Sequence, residues 1–60
     1  MGVPQNPQES VKWLRPSAEK GDADAQYRFA LYYAEGYGGL RVNKAECIKW
    51  MRRAAAQGYE

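Results

Sequence analysis

Histidine is absent from the 60 residues and cysteine occurs once, as Cys47. Without a second cysteine there is no internal disulfide. Without histidine, a zinc or haem site has no ligand set. Cys47 therefore reads as a small, buried residue near the apolar edge of the last helix. A nucleophile would have to rely on lysine or a carboxylate as its base, and Ser10 and Ser17 stand in no motif that supplies one. No catalytic, cofactor-binding or metal-binding residue is assigned, no cofactor is expected, and the chain is expected not to be an enzyme. Apolar runs are short as well. Nothing approaches the roughly 18 residues of a membrane span, and Met1 to Asn6 carries no charged stretch followed by an apolar one. A soluble, unexported chain with no membrane partner is expected, with the cytoplasm as default.

Charge of one sign is also scarce, the net value being +2. Basic residues gather as Lys12, Arg15 and Lys20 in the first half and as Lys44, Lys49, Arg52 and Arg53 near the end. Glu9 and Glu46 interrupt both groups. That alternation describes a solvated outer face better than a nucleic-acid surface.

What the chain does contain is itself, twice. Gly2–Ala23 aligns without a gap on Gly39–Glu60, an offset of 37 residues. Gly2/Gly39, Asn6/Asn43, Glu9/Glu46, Lys12/Lys49, Trp13/Trp50, Arg15/Arg52, Ala18/Ala55 and Gly21/Gly58 are identical, while Ser10/Cys47, Val11/Ile48 and Leu14/Met51 keep size or polarity. A repeat of this period marks stacked supersecondary units. Each copy reads as a capped helix. Asn6 and Asn43 are N-caps, Pro7 occupies the first helical position, and Glu9 and Glu46 stand where a capping box would place them. Gly21 and Gly58 supply left-handed C-caps.

A third helix is predicted between the copies, from about Asp22 to Glu35, with Asp22 and Asp24 complementing its dipole. Gln26, Phe29, Ala30 and Tyr33 share its buried face, and Asp24, Arg28, Leu31 and Glu35 share the opposite one. Ala23, Ala25, Ala30 and Ala34 leave room for close neighbours. Gly36-Tyr37-Gly38-Gly39 follows a helix and lacks a Gly-Lys-Ser/Thr ending, so it is a turn and not a phosphate loop. On the last helix Ala45, Ile48, Met51, Ala54 and Ala55 are expected inside, with Glu46, Lys49, Arg53 and Gln57 opposite. Val11, Leu14 and Ala18 are the corresponding interior of the first. Pro16 breaks the first pattern and predicts that its helix bends or ends early.

DADAQYRFALYYAEGYGG followed by NKAECIKWMRRAAAQG closely resembles the Sel-1-like repeat, a relative of the tetratricopeptide repeat. Gly2-Val3-Pro4-Gln5-Asn6 resembles the loop between the two helices of such a repeat, and Tyr59-Glu60 resembles the start of another first helix. The resemblance runs from Gly2 to Gly58. The loop Gly36 to Val42 departs from it, being one residue longer than the commonest form, with Leu40-Arg41 where Val-Pro or Pro-Gln is usual. It implies an all-α fold of antiparallel helix pairs in a right-handed solenoid. Residues 2–21 would be the second half of one repeat and 22–58 one complete repeat, the helices running in the order second, first, second.

Binding is the function that the resemblance implies. In such solenoids the first helix of each repeat lines the groove, which places Asp24, Arg28, Leu31 and Glu35 there, flanked by Tyr27 and Tyr32, for a protein or peptide partner. Tyr27 and Tyr32 serve equally well as packing residues, and both readings stand. Trp13 and Trp50 are read as packing between repeats. An alternative is a self-assembling module that forms a homodimer through Ile48, Met51 and Ala55 on an uncapped last helix. A basic nucleic-acid binder is the weaker third reading.

Overall fold

The computed structural model describes residues 6–58. Among them the chain forms three helices, α1 (Pro7–Glu19), α2 (Ala23–Glu35) and α3 (Lys44–Ala56), with a 3-10 turn at Tyr37–Gly39 and no strand. The Gly2–Gln5 loop and the Tyr59–Glu60 helix start lie outside the described residues.

Each helix begins at a side-chain cap placed where an orphan backbone donor needs an acceptor. Asn6 accepts from the Gln8 N–H at 2.9 Å, Asp22 from Asp24 at 3.0 Å and Ala25 at 3.3 Å, and Asn43 from Glu46 at 3.1 Å. The reciprocal half of the capping box is replaced at Glu46, whose Oε1 accepts from Trp50 Nε1 at 3.2 Å. At the far end of α1, Gly21 has φ +105°. Its N–H donates to the Ala18 carbonyl, and the Asp22 N–H donates to that of Ser17, each at 3.1 Å. This pair of bonds is the Schellman pattern, and it turns the chain directly into α2.

Pro16 does not shorten α1, which runs on to Glu19 and matches α3 in length at 13 residues. Lys12 and Pro16 are both exposed. The carbonyl that loses its donor at Pro16 is that of Lys12, an exposed residue where solvent has access.

The helices pack antiparallel in sequence order, α1 on α2 and α2 on α3, so that α2 is covered on both flanks. Leu14 and Ala18 from α1, Ala25, Phe29 and Ala30 from α2, and Trp50 from α3 form the core. Phe29 is central. Its ring centroid lies 5.0 Å from that of Tyr33 and 5.4 Å from that of Trp50, both tilted, and the Arg15 guanidinium sits 5.7 Å from it on the α1 side. Tilted ring pairs align the positive edge of one with the negative face of the other. Alanine at positions 25 and 30 admits this aromatic bulk by letting the backbones approach.

One buried polar group joins all three helices. Gln26, almost fully buried, donates from Nε2 to the Ala18 carbonyl of α1 at 3.0 Å and accepts at Oε1 from Gln57 Nε2, just past α3, at 3.0 Å. A buried amide bonded on both sides avoids the desolvation cost that an unpaired one would carry.

The interior of α3 differs from expectation. Trp50 and Ala54 are buried, Cys47 and Met51 pack half-buried against the core, and Ala45, Ile48 and Ala55 face solvent. An aliphatic stripe misplaces the face because the indole outweighs the methyl groups. Its polar neighbours wrap the ring, with Lys49 Nζ 4.8 Å and the Arg53 guanidinium 5.0 Å from the centroid. Long cationic side chains can cover apolar surface with their stems while their heads reach water.

Candidate protein-binding face

The outer side of α2 is set by the burial of its inner one. With Ala25, Gln26, Phe29 and Ala30 turned to the core, the 3.6-residue period carries Arg28, Leu31 and Glu35 outward into solvent, and Asp24 lies with them. Arg28 Nε meets Asp24 Oδ2 at 3.1 Å, one turn apart along the helix. At this exposure such a pair contributes about 0.3–0.5 kcal/mol. Its larger effect is to hold the guanidinium along the helix, next to Leu31.

Leu31 is 41% exposed. It forms the apolar point of a face otherwise built from charge. Ala34, also exposed, and the half-buried Tyr27 extend this point along the helix edge away from Tyr32. Tyr32 turns toward α1 and the loop, where its ring meets Tyr37 edge-on with centroids 4.9 Å apart. A Cβ on Gly38 would lie 3.1 Å from Tyr32 Cδ2. Tyr32 is thus a packing residue whose remaining surface borders the face. Tyr37, about half exposed, was missed in the sequence reading. Its signal was an aromatic held between two turn-forming glycines, Gly36 and Gly38.

The two tryptophans have different surroundings. Trp50 is 4% exposed and Trp13 45% exposed, although they occupy equivalent positions in the two copies. Among the described residues there is no enclosed cavity, and no group of three or more His, Cys, Asp or Glu that could hold a metal ion. No helix there is long and apolar enough to cross a membrane.

A repeating 37-residue unit of two antiparallel helices, with small residues at the contacts and a glycine-stopped turn, is what the Sel1 repeat profile describes, and that profile matches residues 1–22 and 23–59. The chain belongs to the Sel1 repeat family. Sel1 repeats build tetratricopeptide-like helical solenoids that generally serve as protein–protein interaction scaffolds and are typically not enzymes. Among curated proteins the chain is 34% identical over 50 residues to the ERAD-associated E3 ubiquitin-protein ligase component HRD3A of Arabidopsis thaliana. That match covers 83% of this chain and 7% of the relative. An F-box protein of the same plant is 52% identical over 33 residues, covering 55% of this chain and 9% of the relative. The chain thus spans less than a tenth of either protein's length. No solved structure matches.

Proposed function

We propose that this Sel1 repeat unit is a non-enzymatic interaction module that binds a protein or peptide along the outer face of α2, through Asp24, Tyr27, Arg28, Leu31, Tyr32 and Glu35. The observation that carries this reading is Leu31, an exposed leucine beside an ordered arginine on the helix whose other side anchors the core. Apolar and arginine side chains on a rigid element suit a binding surface, because little conformational entropy remains to be lost when a partner arrives. The matched relative HRD3A is named as a component of a ligase, which supports a scaffolding role within a larger assembly.

The face can be altered without touching the interior. Arg28→Glu and Leu31→Asp are each expected to leave the urea midpoint nearly unchanged, within about 0.5 kcal/mol for such surface positions. Each should also weaken retention of proteins captured on the immobilised wild-type chain by about tenfold or more, as central contacts do. Equal retention by both variants would refute the assignment.

A second reading is favoured by Ile48, which is 51% exposed on α3, with the exposed Ala55 two turns further along the same side. An apolar strip of this kind can pair with its symmetry mate in a homodimer. Ile48 is a better probe than Met51, which also packs on the core. If the strip dimerises, Ile48→Lys converts a sedimenting dimer to monomer. A monomer already present at high concentration in the wild type disposes of this reading.

A further inference from the structure

Charge is divided unevenly among the helices. α3 carries Lys44, Lys49, Arg52 and Arg53 against Glu46, whereas α2 with its cap carries Asp22, Asp24 and Glu35 against Arg28. A chain of net charge +2 therefore has its acidic side on α2. Two of these acids are already engaged. Asp22 caps the helix, and Asp24 holds Arg28 at 3.1 Å. Glu35 is exposed and forms no ion pair among the described residues. It also has the wrong sign for its place. The C-terminal end of a helix carries partial negative charge and favours cations, yet the last turn of α2 holds no basic residue and closes on this carboxylate. α1 also closes on an acid, Glu19, but Lys20 follows it directly, whereas Gly36 follows Glu35. A local preference broken with no compensation inside the fold is a mark of a functional position.

We infer that the partner of the outer face of α2 is a basic peptide segment, one that carries a lysine or arginine beside an apolar residue. The inference rests on the reading of that face as the binding surface and adds the chemistry of its ligand. Helical spacing puts Leu31 one turn before Glu35 and Tyr32 three positions before it, so an aliphatic and an aromatic side chain flank the carboxylate. Long cationic side chains suit such a place, because the stem lies on apolar surface while the head reaches the charge. Tyr32 and Tyr37, packed edge-on with centroids 4.9 Å apart, add aromatic rings at the same end, and ring faces attract cations. Arg28 offers a basic partner little repulsion, because Asp24 neutralises it. An acidic partner would instead meet Glu35 and the helix dipole as like charges. With no enclosed cavity among the described residues, the surface suits a chain laid along the helix and not a small molecule.

Two synthetic peptides of equal length serve as probes, one of alanine, leucine and lysine, the other with glutamate in place of lysine, each labelled for fluorescence anisotropy. The lysine peptide is expected to bind the chain about tenfold more tightly than the glutamate peptide, and added salt should weaken it. Because the whole chain is positive, non-specific attraction works against this result. Glu35→Lys should lower the affinity for the lysine peptide by about tenfold. Glu19→Lys, the same charge change at an exposed acid of α1, should alter it by less than about twofold. Preference for the glutamate peptide, equal affinity for both peptides, or equal losses in the two variants overturns the inference. So does a failure of either peptide to bind. The face itself is judged separately. If Leu31→Ser removes whatever peptide binds, or Arg28→Glu and Leu31→Asp release captured proteins, the face stands and only the basic chemistry of its partner fails. If they do not, both readings fail.

Discussion

Phe29→Ala is expected to abolish cooperative unfolding at room temperature. Truncating a fully buried phenylalanine costs about 3–5 kcal/mol, combining lost transfer energy with the cavity left behind. A single core in a chain of this size rarely supplies more than about 3–5 kcal/mol in total. The Phe29 ring also meets all three helices, through Arg15 of α1, Tyr33 of its own helix and Trp50 of α3. Its small alanine neighbours have no bulk with which to refill the space. Far-ultraviolet circular dichroism in a urea titration should show a shallow, sloping loss of helix, whereas Leu31→Ala on the outer face of the same helix should retain a sigmoidal transition. A sigmoidal transition for Phe29→Ala within about 1 kcal/mol of wild type, the scale of an ordinary point mutation, would mean that the core is organised elsewhere.

The second large effect is expected at Gly38. Its φ of +67° already disfavours any side chain, and a Cβ there would meet Val11 Cγ2 at 2.7 Å and the Pro7 carbonyl at 3.0 Å. The first neighbour can rotate. The second is backbone in the opening turn of α1, so relief requires the loop to lift off that helix. Left-handed strain of about 1–2 kcal/mol and overpacking of about 1–3 kcal/mol act together in Gly38→Ala. Gly21→Ala separates the two contributions, since Gly21 has φ +105° and nothing within 4 Å of the position its Cβ would take. Gly38→Ala should therefore lower the urea midpoint clearly more than Gly21→Ala. Equal losses would show that the loop does not press on α1.

The helix boundaries were legible because each is written in local chemistry. Asn6 and Asn43 cap as expected, Asp22 stands at the predicted helix start and caps it, Gly21 takes the positive φ of the Schellman turn, and Gln26, Phe29 and Ala30 lie on the buried face that their spacing predicts. The inner side of α3 was not legible in the same way. A hydrophobic stripe gives a single answer for a helix with a single partner. Here both the Trp50 edge and the Ile48 edge of α3 carry apolar residues, and the residue pattern alone does not say which of them meets α2. Ile48 and Ala55 were therefore assigned to the interior in place of Trp50. The early end allowed for at Pro16 did not occur, for a different reason. An interior proline carries a cost without necessarily ending its helix, and here α1 continues three residues beyond it to Glu19. On the candidate face, Arg28, Leu31 and Glu35 followed from helical period, whereas Tyr37 depended on how the loop folds back toward Tyr32.

The amide of Gln26 has a direction that the surrounding alanines lack. Methyl groups in contact tolerate small slides between neighbouring helices, and apolar packing is non-directional. The carboxamide accepts one arrangement only, its nitrogen toward Ala18 and its oxygen toward Gln57. It works as a detent that indexes each helix against the next. Where helices stack, small angular offsets add up, so a side chain that fixes how α1, α2 and α3 sit against one another also limits how much the outer face of α2 can shift.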